Sequence, residues 1–273
     1  MWSDMYKHKL RMADEAVKII PDRAGIIAPL ANGQPTALIN AIAARVKTDD
    51  LRDINYISAL DVRFMGIHDP EIADKITIEI LYAGPISRYF INQGKFTYTP
   101  HRFWEGPDIA GQCRDAKYFI MTVAPMDDKG FFSCGLHPDY IWGMARESMP
   151  CHIMVEVNEH MPRTYGNNRF HINEIEVIVE NNEPLVALPD IQVTEEDKLI
   201  GQYIAEQIPD GACIQLGIGG IPNMVAKFLA EKKDLGVHSE MLCDSMVELY
   251  KQGVITCKRK NFMPLRWIGS FAV

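Results

Sequence analysis

Leu216-Gly217-Ile218-Gly219-Gly220-Ile221-Pro222-Asn223, with Gly236-Val237-His238-Ser239-Glu240-Met241 about twenty residues on, is the stretch from which the rest of the chain is read. The apolar residues ahead of Gly217 form a strand pattern, the glycines a turn, and the residues from Pro222 a helix pattern. Such a turn gathers unpaired backbone N–H groups at a helix N-terminus, where partial positive charge favours an anion. The second segment is a short strand that delivers one carboxylate, Glu240, to the same edge of the sheet. A carboxylate facing an oxyanion cradle points to acyl chemistry with Glu240 as nucleophile.

The same turn has a rival reading. A dinucleotide-binding fingerprint also follows a strand, opens a helix and carries an acid about 20 residues on. Here Pro222 stands where that pattern needs its third glycine for close helix–strand packing. Gly219 and Gly220 are adjacent, which leaves Gly217 and Gly219 as the spaced pair. On its own the turn leaves nucleotide binding, acyl-group binding and a purely structural role open.

Outward from this stretch, short apolar runs alternate with helical patterns, the signature of an α/β chain with a mainly parallel sheet. Residues 12–17 are helical, Ala24–Ala28 a first strand, and 35–42 a helix with proline at its opening. Strands follow at 55–60, 76–80, 118–123 and 152–157. The polar, proline-bearing sequence at Glu180–Pro184 and Leu188-Pro189-Asp190 marks a boundary, giving domains 1–187 and 188–273. Thr194-Glu195-Glu196-Asp197 opens a helix with N-cap chemistry. Then come strand 212–216, helix 222–232, strand 236–239, helix 244–252 and strand 267–273. A sheet that stops on its last apolar residue leaves an open edge, so the second domain is expected to be incomplete and the chain a fragment.

Composition removes several function classes. A net charge of −8 and a pI near 5.5 exclude a nucleic-acid surface, and Lys258-Arg259-Lys260 reads as a solvated turn. Membrane association is not expected, since no apolar run approaches the roughly 18 residues of a membrane span. The first residues lack a secretory signal. Six cysteines without CxxC spacing read as reduced thiols of a cytoplasmic protein, and the eight histidines hold no HxxxH or HExxH pair, so no metal is expected.

Gln215–Pro222 taken with Leu235–Met241 resembles the acetyl-CoA hydrolase/transferase group of family I coenzyme A transferases, which includes the 4-hydroxybutyrate and butyrate:acetate CoA-transferases. The resemblance extends to Val155–Arg163, Tyr165-Gly166, His171 and Ala124–Gly130, and covers essentially the whole chain. It implies two similar open α/β domains and a homo-oligomer, a dimer or larger. It places the catalytic glutamate on Glu240, and the loop contacting the thioester and CoA on Gly217, Ile218, Gly219, Gly220, Ile221 and Pro222. Acyl-CoA and a small carboxylic acid become the substrates, with no tightly bound cofactor. The chain departs from the family at Cys243-Asp244-Ser245, where Ser-Asp-Gly is common, and in lacking the family's remaining C-terminal segment.

Weaker candidates lie near other strand tips. Asn158 and His160 follow one, Asp61 and Arg63 follow another and are placed to select the acid, and His238 precedes Glu240 by two residues. Arg88 and Arg102 offer alternative carboxylate forks. The turn Ala28–Pro35 resembles the family's first strand-to-helix loop and is expected to wall the acyl pocket. The expected reaction is CoA transfer through a glutamyl-CoA thioester. Thioester hydrolysis, a nucleotide-binding oxidoreductase and a non-catalytic CoA-binding module are the alternatives.

Overall fold

The computed structural model describes residues 1–108, 116–147, 151–187 and 192–272; Cys113, Leu188-Pro189-Asp190 and Val273 lie outside these. The chain divides into two compact units, Met1–Val186 and Ala187–Val273, against a sequence-derived border after residue 187.

The first unit is built on β1 (Gly25–Ile27), β2 (Ile54–Ser58), β3 (Ile76–Ile80), β4 (Thr97–Tyr98), β5 (Ala116–Val123), β7 (His152–Val157) and β9 (Ile175–Glu180). Every neighbouring pair is parallel, in the order β4-β3-β2-β1-β5-β7-β9. A small antiparallel pair, β6 (Phe131–Ser133) with β8 (Arg169–His171), stands apart from it. The α/β class with a mainly parallel sheet is therefore as the alternating pattern implies. Near-continuous apolar runs such as Ile26-Ile27 and Phe119-Ile120-Met121 suit strands covered on both faces. β1 lies centrally, and the chain returns past it to add β5 on its other side. That reversal makes a topological switch point at the carboxyl ends of β1 and β5.

Helices α1 (Trp2–Lys9), α2 (Ala13–Ala16), α3 (Thr36–Lys47), α4 (Pro85–Asn92) and α5 (Asp139–Glu147) accompany this sheet. α3 buries Leu38, Ile39, Ile42, Ala43 and Val46, a stripe at helical spacing, and Arg45 and Lys47 complement its C-terminal dipole. Pro35 sits at its N-cap rather than inside it. α1 has no counterpart among the sequence-derived elements because it buries no residue and so shows no apolar stripe. β9 also has none, since the polar run beginning at Glu180 disguises its end.

The second unit runs α6 (Glu195–Gln207), β10 (Cys213–Ile214), α7 (Gly220–Phe228), β11 (Gly236–Val237), β12 (Met241–Leu242), α8 (Asp244–Lys251) and β13 (Phe271–Ala272). β10 pairs with β11 and β12 with β13, both in parallel. Single parallel bridges join Leu235 to Ile255 and His238 to Ile268. Its strands are shorter than their apolar runs suggest. In the last run, Gly269 and Ser270 separate the Ile268 bridge from β13. The core gathers Ala205, Ile214, Leu216, Val225, Leu229, Val237, Met246 and Leu249.

The α6–α7 contact is close because Gly201 has no side chain. A Cβ there would lie 2.6 Å from the Met224 Cβ and 3.0 Å from both the Met224 carbonyl carbon and the Val225 nitrogen. Backbone cannot yield cheaply, so Gly201→Ala is expected to cost about 1–3 kcal/mol in denaturant unfolding of this unit. Gly143→Ala in α5 meets no atom within 4 Å among the described residues and should instead add up to about 1 kcal/mol.

Candidate active site

The glycine turn follows Leu216, two residues past β10, and enters α7 at Gly220. Gly219, the N-cap, has φ 141° and ψ 172°, a conformation essentially restricted to glycine. The first α-helical bond runs from the Asn223 N–H to the Gly219 carbonyl at 3.2 Å. The amides of Gly220 and Ile221 therefore project from the helix N-terminus without a partner among the described residues. Pro222 lies in the first turn, where its missing N–H costs nothing. A Cβ at Gly220 would sit 2.4 Å from Asp197 Oδ2, so this position has no room for a larger residue unless Asp197 moves. Asp197 is itself held by a capping box, accepting from the Thr194 N–H at 3.0 Å.

Pairing register places Glu240 relative to this turn. Cys213 lies opposite Gly236 and Ile214 opposite Val237. The pairing continues beyond the strands proper: the His238 N–H donates to the Ile214 carbonyl at 3.1 Å, and Ser239 Oγ to the Leu216 carbonyl at 3.4 Å. By residue count the same register aligns Glu240 with Gly217, beyond the last main-chain bond of the ladder. Burial alternates in agreement, with Ile214, Leu216, Val237 and Ser239 buried and Gln215, Gly217, His238 and Glu240 exposed. The Glu240 and Gly217 positions thus share one face at the carboxyl edge of neighbouring strands.

The main chain of Glu240 is anchored, its carbonyl accepting from the N–H groups of Ser270 (2.8 Å) and Phe271 (3.4 Å). Its carboxylate has no hydrogen-bond or ion-pair partner among the described residues. His238 shares the exposed face and stacks on Phe262 with ring centroids 6.1 Å apart. Beside the turn, an open, mainly apolar cleft of about 440 Å³ is lined by Ile208, Gln215, Leu216, Gly217, Ile221 and Pro222, and Glu240 is not among its lining residues.

The first-unit candidates are placed differently from expectation. Asp61 is buried, and its carboxylate accepts from Gln34 Nε2 and Ser87 Oγ, each at 2.8 Å, with His68 Nε2 at 3.3 Å. It is an internal tie with no open side for an incoming acid. Arg63 pairs with Glu183 at 2.7 Å and donates to the Pro184 carbonyl at 3.0 Å. The buried Asn158 donates to the Glu183 carbonyl and accepts from the His160 N–H, each at 2.8 Å, leaving the His160 side chain exposed. Arg63 and Asn158 thus tether the segment after β9, as does Asn32, which bonds both the N–H and the carbonyl of Val186 at 2.8 Å. Arg88 is exposed and donates to the Ala83 carbonyl; Arg102 is exposed in a loop.

A buried carboxylate that sequence reading passes over sits at the switch point. Glu156 accepts from the N–H groups of Ala37 (2.9 Å) and Leu38 (3.1 Å) at the start of α3, and from Asn181 Nδ2 at 2.8 Å. Burial pushes its pKa above the ordinary carboxylate value even though all these bonds favour the charged form. The anion-binding end of α3 is therefore filled by the protein's own side chain. Only its place in an apolar run hints at this role, since its main-chain donors come from positions 119 and 118 residues away.

The chain belongs to the acetyl-CoA hydrolase/transferase family: residues 2–189 match that family's N-terminal domain. It is 35% identical to a 4-hydroxybutyrate coenzyme A transferase of Clostridium kluyveri, over 99% of this chain and 62% of the relative. It is 37% identical to a butyryl-CoA:acetate CoA-transferase of Anaerostipes caccae, with the same coverage on both sides. Among solved structures, RipA from Yersinia pestis superposes with a TM-score of 0.92 at 31% identity, over all of this chain and 65% of that one. A 4-hydroxybutyrate CoA-transferase from Porphyromonas gingivalis gives 0.79 at 26% identity, over 100% and 64%. The chain thus spans less than two thirds of the length of these relatives.

Beside the loop that follows β1, burial pushes the His137 imidazole down to about 3; its Cβ would be 2.8 Å from a Cβ at Gly33. A lowered folded value means that the unfolded chain takes the proton first. The stability held by neutral His137 is complete above pH 6.5 and is lost as the pH falls from there toward 3, by at most about 1.4 kcal/mol per pH unit. Replacing His137 with Gln should flatten this part of the stability–pH curve, measured by thermal unfolding between pH 7.5 and 4.

Proposed function

We propose that this protein moves CoA between an acyl-CoA thioester and a small carboxylic acid, with Glu240 as the nucleophile. The observation that supports the reading is the parallel pairing of β10 with β11, whose exposed face includes Gly217 and Glu240 beyond the paired residues. Family membership and the relatives, a 4-hydroxybutyrate coenzyme A transferase and a butyryl-CoA:acetate CoA-transferase, support it.

The Glu240 carboxylate attacks the thioester carbonyl carbon, and the oxyanion that forms is received by backbone N–H groups of the 217–221 turn. The C–S bond breaks, leaving CoA thiolate and a mixed acyl–glutamyl anhydride. The thiolate then attacks the glutamyl carbonyl, the anhydride C–O bond breaks, the first acid leaves as carboxylate, and CoA remains as a thioester on Glu240. An incoming carboxylate runs the same two steps backwards. One carboxylate–thioester pair replaces another, so a weak but reversible nucleophile suits the task. A partnerless, exposed carboxylate is available for attack in a way that the buried Asp61 and Glu156 are not.

Acetate, butyrate, 4-hydroxybutyrate and small dicarboxylates such as itaconate are the candidate acids. The reading includes a cytoplasmic homo-oligomer that uses CoA as substrate and holds no cofactor tightly. None of the described helices is long and apolar enough to cross a membrane. The oxidoreductase alternative is disfavoured at the Gly217–Pro222 turn, where Pro222 stands in place of the third glycine of the dinucleotide fingerprint.

Glu240→Ala should lower acyl-CoA:carboxylate exchange by at least roughly three orders of magnitude, and Glu240→Asp should lose most of it because the carboxylate retreats by one methylene. Borohydride should inactivate the protein only when acyl-CoA is present, by reducing the enzyme thioester. Unchanged turnover in the alanine variant rejects the mechanism. Thioester loss that proceeds equally well without added acetate assigns hydrolysis instead.

A further inference from the structure

Lys260 is not the solvated turn residue that its Lys258-Arg259-Lys260 setting suggests. It is 8% exposed, and its Nζ donates to the carbonyls of Val237 and Arg266, each at 2.7 Å. Its methylenes lie over Gly236, where an added Cβ would stand 2.6 Å from the Lys260 Cγ and 3.0 Å from its Cδ. No acidic side chain pairs with it among the described residues. Burying an ammonium on two peptide oxygens is unfavourable unless the geometry they hold is needed.

Those oxygens lie where two segments meet. From Val237 onward, the strand bearing Glu240 is stitched to residues 268–271. The Ile268 N–H donates to the Val237 carbonyl at 3.2 Å, the Ser239 N–H to the Ile268 carbonyl at 3.0 Å, and the Ser270 N–H to the Glu240 carbonyl at 2.8 Å. Gly269 interrupts this seam, and the parallel pairing at its ends is only a single bridge and a two-residue strand. A seam so short needs a fixed starting point. Lys260 supplies one by holding Val237 and Arg266 together at its head.

We infer that Lys260 is the positioning residue for Glu240: its ammonium clamps the 266–271 segment onto the strand and so sets where the nucleophilic carboxylate stands. The inference rests on the transfer reading for its catalytic consequence, and on geometry alone for the clamp. It acts through the main chain, since nothing places Lys260 against substrate. A displacement of about 1 Å at a reacting group can cost about 10²-fold in rate.

Two variants test it, Lys260→Met, which keeps the stem and removes the charge, and Gly236→Ala, which crowds the stem off its seat. Amide hydrogen exchange of Ser239, Ile268, Ser270 and Phe271 should quicken about tenfold or more in each, while amides of β2 and β3 exchange as in the wild type. In CoA exchange assays, kcat should fall at least tenfold with KM for acyl-CoA changed less than twofold, and Lys260→Arg should recover part of the loss. Unaltered exchange of those four amides in both variants overturns the clamp, as does a fall in activity that appears wholly in KM. If the folded wild type transfers no CoA, the transfer reading fails instead, and the amide pattern alone decides whether Lys260 is a clamp.

Discussion

The parallel pairing of β10 with β11 is the constraint on which the candidate site depends. Two register pairs, Cys213 with Gly236 and Ile214 with Val237, determine which residue of one strand lies beside which residue of the other. The main-chain bond from His238 and the hydroxyl bond from Ser239 extend that alignment to the strand tips. A helix N-terminus and a carboxylate, each unremarkable alone, then occupy neighbouring positions. The core residues Ile214, Leu216 and Val237 hold the register, because a slip by one residue would turn them out to solvent. Packing on the inner face thereby sets the chemistry of the outer one.

The N-termini of α3 and α7 are treated in opposite ways. At the first unit's switch point, Glu156 closes the start of α3 with bonds to two amides, and the neighbouring polar side chains bind one another or the segment leaving β9. At α7 the first amides stay open, and the nearby carboxylate of Asp197 is held by its own helix's capping box. Both arrangements follow from the same dipole and the same orphan donors. One uses them to lock a fold together. The other leaves two of them without a partner among the described residues.

The α/β class, the parallel sheet and the turn–carboxylate pair were legible because each is written in local period: apolar runs of strand length, helical spacing and glycine at a strand end. The roles of Asp61, Arg63 and Asn158 were not. Sequence shows that a charge follows a strand tip, but not that Ser87, His68 or Glu183 will be waiting for it. Glu156 was hidden for the same reason, with its donors 118 and 119 positions away. Lys260 misled in the opposite direction, since a basic triplet reads as solvated until the fold brings two carbonyls to one member of it. Short strands were overestimated in the second unit because apolar runs continue beyond the bridges that define pairing.

The alternation of faces along residues 236–240 also limits how this segment can change in length. Adding or deleting a single residue between Gly236 and Glu240 would swing the acid to the side occupied by Val237 and Ser239, among the packed apolar groups. A two-residue change would keep the orientation but slide the acid about 6–7 Å along the strand, past the turn. Indels of either parity in this segment therefore displace the acid, whereas an exchange at the exposed His238 keeps the alternation of faces.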